Sequence, residues 1–564
     1  MTSLGEKLAH ARRLGEGAQA LSPLPFQNVG QVLAKQLADR PEQPFLIFYA
    51  DSGDRSQWTY REFSEMVWKT VRMLESHGIK RGDRIATVSH NHAETVIQYF
   101  AAWTLGAVVV PINLGETDER VEYILSNSET KFAFVREPYV SRIEALQAKL
   151  PEFRTIVQTG GELSSKYLHY SVELNNHSGD ARPVEDVGLE DEVLIVYTSG
   201  TTGNPKGVVL VQQNLLTDAQ GISEWHGLAA EQRMMCVLPL HHVNGTVVTL
   251  MTPMYYGGTV VLNQKFSTHH FFERIEQEKV QIASVVPTLL QFLLHEKSLE
   301  GKQLSLPNFR HIICGAGPLT VELASAFEDR FGLRIVHGYG LSETTCYSCF
   351  LPVELTDTEH KRWIREYGFP SIGVPIPQNE MEIHDDHGQS LPPDTKGEIV
   401  IRGVNVMKYY FAAPEINEKT FEFGWFRSGD EGFFKTDAAG RKFFFITGRL
   451  KELIIRGGVN ISPFEIDEVL ARIPGIDKAM AVGFENDWYG EEVGAYVCLK
   501  PGANVSEREI IEFCARELAV SKCPKVVVFG HEFPVTSTGK YQRNKCKHLF
   551  SAFKSEQYPK KATK

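Results

Sequence analysis

The sequence predicts an α/β protein. It expects a large N-terminal domain of mixed, largely parallel sheets with helices plus a β-rich subdomain, and a small mobile α+β domain at the C-terminal end. Three observations predict this. A chain of 564 residues exceeds what one compact core holds, so at least two domains are expected. Apolar runs alternate with amphipathic stretches over 59–135 and again over 266–336, the rhythm of strand–helix–strand crossovers. From 381 the character changes to short strand-like runs separated by Gly, Pro and Asp turns.

The elements follow in order. Thr59-Tyr60-Arg61-Glu62 is a capping box; Phe63, Val67, Val71 and Leu74 recur at helical spacing, and Gly78 ends the helix. Strands are expected at 84–89, 107–111 and 131–135, with helices at 93–103 and about 119–125. Two apolar runs, 193–196 and 208–211, bracket a polar hairpin loop, and 333–336 reads as a strand. The β-rich subdomain spans about 381–447 within an N-terminal domain of 1–447, with strand-like runs at 397–402 and 442–445. A boundary falls at 448–451. Beyond it, 452–564 predicts helices at 461–473 and 507–518 and strands at 478–484, 495–500 and 525–529. The lysine-rich tail after Phe553 is expected to fray. The charged segment 355–367, with Lys361, Arg362 and Arg365, follows the Gly338–Thr344 stretch and is a candidate cover for a pocket there, although its sequence assigns it no role.

Composition excludes several classes. Apolar residues at 42% and charged residues at 23% are ordinary for a globular protein, and the formal charge of −11 disfavours a nucleic-acid partner. No stretch has the uncharged apolar length of an integral membrane segment, and 1–24 lacks the apolar centre of a secretory signal. Eight scattered cysteines, with one lone pair at Cys346 and Cys349, read as incidental thiols in a reducing, cytoplasmic setting.

The chemistry concentrates in short motifs. Tyr197-Thr198-Ser199-Gly200-Thr201-Thr202-Gly203-Asn204-Pro205-Lys206-Gly207 sets hydroxyls, three glycines and a lysine between two strands. Glycines let successive N–H groups converge on one anion, and Lys206 adds full charge, so the loop suits a polyphosphate. It is not a P-loop, which places Gly-Lys-Ser/Thr at the start of a helix. In Gly338-Tyr339-Gly340-Leu341-Ser342-Glu343-Thr344, the glycines leave the backbone open to a flat ligand, the Tyr339 ring can stack, and Glu343 offers the oxygen a hard cation takes. Asp430, in Ser428-Gly429-Asp430, can accept two hydrogen bonds from a diol. Lys540, in Thr538-Gly539-Lys540, is a point charge on a flexible stem.

Together these motifs resemble the adenylate-forming superfamily of acyl- and aryl-CoA synthetases, peptide-synthetase adenylation domains and luciferases. The resemblance spans about 26–549. It implies ATP binding by Thr198, Ser199, Gly200, Thr201, Thr202, Gly203 and Lys206 on the phosphates. It further implies Gly338, Tyr339 and Gly340 at adenine, Thr344 at the α-phosphate, and Asp430 and Arg449 at the ribose. Mg²⁺ is implied on Glu343. Catalytic roles fall to Lys540, Glu343 and His242; Lys451 becomes a hinge, and Gly457-Gly458 lines a pantetheine tunnel for coenzyme A. His241, Val243, Gly315, Ala316 and Gly317 fall at the acyl pocket, although many members carry an aromatic residue where His241 stands.

The implied activity is ATP-dependent joining of a small carboxylic acid, expected to be fatty or aryl, to coenzyme A through an acyl-adenylate. Three alternatives stay open: loading of a carrier-protein thiol, a luciferase-type oxygenation, and nucleotide binding without catalysis.

Overall fold

The computed structural model describes residues 3–18, 20–163, 165–198, 204–301, 303–535 and 541–558. Among these residues a nine-stranded sheet carries six mutually parallel strands: Pro44–Tyr49, Thr259–Asn263, Arg233–Cys236, Ile282–Val285, His311–Cys314 and Ile335–Tyr339. Antiparallel strands close both its edges. An eight-stranded sheet holds the parallel strands Arg84–Val88, Val108–Pro111, Phe132–Arg136, Thr155–Thr159, Leu168–His169 and Glu192–Thr198. Lys206–Val211 and Tyr409–Tyr410 extend it antiparallel. Helix Ala93–Leu105 lies between the two sheets. Trp103 Nε1 donates to Val193 O at 3.0 Å on one side, and the Tyr99 hydroxyl donates to Leu240 O at 3.2 Å on the other. The helix is buried on every side: Val96, Ile97, Phe100 and Ala101 fill one arc and Tyr99, Ala102 and Trp103 much of the rest, with Thr95 and Gln98 buried among them.

Strands Asn379–His384, Gly397–Gly403, Phe426–Thr436 and Lys442–Arg449 form an antiparallel four-stranded sheet. Beyond it, Ile476–Asn486 and Gly490–Leu499 pair as a long hairpin, with Val526–Phe529 parallel beside it. Helices Pro463–Ala471 and Glu507–Glu517 cover one face through Ile466, Leu470 and Ile510; Phe550 packs on the other, stacked with Phe484 at 5.4 Å.

Three expectations are corrected. The helix predicted from 461 begins at Pro463, because Ile461 pairs across Ile454 in strand Val459–Ile461 and proline suits the first helical turn. The tail is tied down as far as Tyr558: Asn486 Nδ2 donates to Glu556 O at 2.9 Å, and Asp487 N donates to Lys554 O at 3.0 Å. The charged segment 355–367 is a scaffold rather than a cover. Helix Asp357–Arg365 opens on a Thr356–Glu359 capping box and buries His360, Trp363 and Ile364. His360 Nε2 meets Glu328 at 2.6 Å, and the Trp363 ring stacks on Phe443 at 3.8 Å, so the helix joins the nine-stranded sheet's flank to the four-stranded sheet. Trp363→Ala should cost about 3–5 kcal/mol, from lost burial plus the cavity left behind. The expected readout is a lower thermal midpoint in differential scanning calorimetry.

Candidate active site at the domain boundary

Neighbouring parallel strands of the nine-stranded sheet end at Cys236, Val285, Cys314 and Tyr339, and the segments following Cys236, Cys314 and Val336 carry three of the sequence motifs. Ligands of open α/β sheets bind at such carboxyl ends. Tyr339 is buried and donates its hydroxyl to Asp430 Oδ2 at 2.7 Å. Arg449 Nε lies 3.0 Å from Asp430 Oδ1. That pair follows from strand register, since Asp430 stands directly opposite Arg449 in the four-stranded sheet. The Asp430 carboxylate holds the Arg449 guanidinium above its ordinary value despite burial. Burial, and then Asp430, push the Tyr339 hydroxyl well up, so both groups stay protonated donors. Each carboxylate oxygen keeps a lone pair for a further hydrogen bond.

Ala316, Gly317, Gly338 and Gly340 line the same cleft as these three groups. The C-terminal region adds Glu468, Tyr541 and Arg543 to it. Arg543 is buried against Asp467, with Nη1 3.1 Å from Oδ1 and a second contact from Nη2 to Oδ2, and donates to Ala481 O at 2.8 Å. The glycines act differently from the sequence argument. A Cβ on Gly338 would lie 2.5 Å from the Phe350 ring, and one on Gly340 would lie 1.8 Å from Cys346 O. They make room for the protein's own chain.

A second cluster adjoins the first. Lys206 begins its strand opposite Thr198, and its Nζ stands 4.9 Å from the Tyr410 ring centroid. The Tyr410 hydroxyl donates to Glu343 Oε1 at 2.6 Å, and Met407 N donates to Glu343 O at 2.8 Å. Burial, and next the Lys451 charge, lower the Lys206 pKa, so the predicted hinge lysine sits near the predicted phosphate lysine. Thr344 is buried, with its Oγ1 accepting from Leu341 N at 3.1 Å. Residues 199–203 and Lys540 lie outside the described residues.

His241 and His242 face each other with ring centroids 4.3 Å apart, and Val243 is buried beside them. The His241 Nε2 is buried with no hydrogen-bond partner among the described residues, and burial pushes the ring down to about 4, so it stays neutral near pH 7. Asn91 holds this segment: its Oδ1 accepts from Leu240 N at 2.9 Å and its Nδ2 donates to Leu238 O at 3.0 Å. Gly457 and Gly458 are not brought to the cleft. They form the turn between Ile454–Arg456 and Val459–Ile461, with φ of 56° and 83°, angles a two-residue hairpin needs and glycine supplies freely. Ile455 and Val459, flanking them, are each 54% exposed.

Tyr410, Asn91 and Glu468 escaped the sequence reading, because only the fold brings them to motif residues. Glu468 joins the two parts of the chain. Its Oε2 accepts from Val321 N at 3.1 Å, at the start of helix Val321–Phe331. Two further contacts cross the same boundary: His295 Nε2 lies 3.7 Å from Asp477 Oδ1, and Lys478 Nζ lies 5.4 Å from the Phe292 ring centroid.

A family model described as AMP-binding enzyme matches residues 33–411, and one described as AMP-binding enzyme C-terminal domain matches 465–540. The chain is 33% identical over 525 residues to a sulfoacetate–CoA ligase of Cupriavidus necator, covering 93% of this chain and 98% of that protein. It is 29% identical over 527 residues to a long-chain-fatty-acid–CoA ligase of Mycobacterium tuberculosis, covering 93% and 99%. The crystal structure of ATP-bound MatB from Rhodopseudomonas palustris superposes with a TM-score of 0.82 at 25% identity, covering 94% of this chain and 100% of that one. The mixed α/β fold read from the sequence is the fold of these enzymes.

Burial pushes the Glu468 carboxyl up from 4.5 to about 8; the Val321 N–H lowers it, Asp467 and Glu322 raise it, and Arg472 lowers it. A raised acid favours the packed arrangement while protonated. Its contribution is therefore full below about 4.5 and is lost as pH rises through about 8. Docking of the C-terminal region should weaken across that window, and Glu468→Gln should flatten the dependence. Energy transfer between fluorophores placed on the two domains checks both.

Proposed function

Because the chain belongs to the AMP-binding enzyme family and is a carbon–sulfur ligase of the acid–CoA type, we propose that it joins a small carboxylic acid to coenzyme A through an acyl-adenylate formed at the cleft between Tyr339, Asp430 and Arg449. The carrying observation is Asp430. Two donors fix this buried carboxylate while each of its oxygens keeps a lone pair, and that arrangement suits a ribose diol at a charged, otherwise dry position. The Tyr339 ring, on the cleft wall, would stack on adenine.

Thr198 and Lys206, with 199–203, would hold the β- and γ-phosphates, and Thr344 the α-phosphate. Glu343 fits Mg²⁺: Tyr410 takes one carboxylate oxygen, and no hydrogen bond among the described residues occupies the other. Bound there, the cation would neutralise phosphate charge. In the first half-reaction a carboxylate oxygen bonds to the α-phosphorus as its bond to the bridging oxygen breaks, and pyrophosphate leaves. Lys540 would offset the charge that builds between carboxylate and phosphate. In the second, the coenzyme A sulfur bonds to the acyl carbon, the thiol proton is released, and the bond to the AMP oxygen breaks. His242 lies on the segment this thiol would approach.

The residue after Lys540, Tyr541, lines the Asp430 cleft, while Gly457-Gly458 stands away from it. That placement supports reading the present arrangement as the adenylate-forming one. Rotation about 448–451, with Lys451 as pivot, would then bring the glycine turn to the site.

Lys540→Ala should cut acid-dependent pyrophosphate release on the order of a hundredfold or more. Thioester formation from preformed acyl-adenylate should stay near wild type. Equal loss of both half-reactions, followed by stopped-flow and product chromatography, would contradict the division of labour.

A further inference from the structure

The hairpin that carries Gly457 and Gly458 is fastened to the C-terminal region along one side. Strand Ile454–Arg456 meets strand Gly490–Leu499 at Arg456, opposite Gly490, while Val459 on the outer strand is exposed. Two strands of three residues each are too little to hold a turn on their own. The missing support comes from 489–492. Gly457 N donates to Tyr489 O at 2.8 Å, and Ile455 N donates to Glu491 Oε2 at 2.8 Å. Arg456 is gripped by two side chains. Its Nε donates to Glu492 Oε1 at 2.6 Å, and its guanidinium carbon lies 3.9 Å from the Tyr489 ring centroid.

Glu492 is fully buried in a strand of buried apolar residues, Val493, Ala495 and Val497 among them. A carboxylate there needs a cation, and Arg456 is its one ion-pair partner among the described residues. Its Oε1 also accepts from Val493 N at 3.0 Å, and its Oε2 has no hydrogen-bond partner among the described residues. Packing alone does not call for this group, since an apolar side chain would fill the position with less desolvation. What the pair does is fix the chain at Arg456, directly before two glycines whose backbone is otherwise free to take many conformations. A charge-assisted hydrogen bond and a stacked guanidinium set direction as well as strength.

We propose that Glu492 is a positioning residue for thioester formation: through Arg456 it keeps the Gly457-Gly458 turn in one shape, so that rotation of the C-terminal region delivers a formed wall for the coenzyme A thiol. This rests on the acyl-adenylate reading above, with its rotation, and deepens it by naming the residue that prepares the turn. The turn stands away from the Asp430 cleft, so the clamp should serve the second half-reaction alone.

The test uses the full chain. In Glu492→Gln, acid-dependent exchange of label between pyrophosphate and ATP should stay within about threefold of wild type, while thioester formation from preformed acyl-adenylate should fall about tenfold or more. Arg456→Met should give the same split, and the double variant should lose no more than the worse single one, because both act through one contact. Hydrogen exchange followed by mass spectrometry reads the clamp with no substrate present. Amides of 454–461 should exchange about tenfold faster in Glu492→Gln, with 476–486 unchanged. If that variant fails to fold, Tyr489→Leu, which removes the ring and keeps the ion pair, takes its place in both measurements. Unchanged thioester formation, equal loss of both half-reactions, additive losses in the double variant or unchanged exchange at 454–461 would each overturn the proposal. If wild type exchanges pyrophosphate with no acid from acetate to palmitate, the acyl-adenylate reading fails and the thioester role falls with it. Faster amide exchange at 454–461 would then still support the clamp itself.

Discussion

Everything at the site hangs on the buried Asp430 carboxylate. Tyr339 reaches it from the end of a strand in the nine-stranded sheet, and Arg449 reaches it from across the four-stranded sheet, just before the chain passes into the C-terminal region. A charge held inside protein needs partners of this kind, and removing one would leave the other groups desolvated and unpaired. The Tyr339 contact ties the nine-stranded sheet to the four-stranded one, while the Arg449 contact lies within the four-stranded sheet. The same contacts hold the carboxylate in one position, so on the proposed reading little reorganisation would remain when a ribose binds.

The Lys206–Tyr410–Glu343 cluster depends on the same framework. Tyr410 lies on a short strand paired to Lys206–Val211, and Glu343 follows directly on the Tyr339 strand. One aromatic side chain thus stands between a cation and a carboxylate, an arrangement that on the proposed reading would leave both available to phosphate and its counter-cation. The Glu468 contact to the start of helix Val321–Phe331 completes the enclosure from the C-terminal side. With the His295–Asp477 and Lys478–Phe292 contacts it spans the boundary, and burial penalises the charged form of Glu468.

Much of the framework was legible in the sequence because local signals specify it. The Thr59 capping box, the apolar runs at 193–196 and 208–211 and the Gly-Tyr-Gly stretch each announce an element or motif within a dozen residues. What escaped depends on residues far apart in the chain. Tyr410 meets Glu343 across 67 positions, Glu468 meets Val321 across 147, and Arg456 meets Glu492 across 36. Gly338 and Gly340 show a subtler failure. Their small size was read as space for a ligand, whereas Phe350 and Cys346 from the chain just ahead occupy it. Segment 355–367 has no legible role because its buried Trp363 and His360 are isolated among charges, and only their partners Phe443 and Glu328 give them meaning.

The most direct test of the central claim, an acyl-adenylate formed at the Asp430 cleft, is isotopic. An acid that supports pyrophosphate exchange is supplied with heavy oxygen in its carboxylate, together with ATP and coenzyme A, and the products are weighed by mass spectrometry. Attack by the carboxylate on the α-phosphorus requires one labelled oxygen to leave with AMP. Label found in inorganic phosphate, or AMP carrying none while thioester accumulates, would contradict the account.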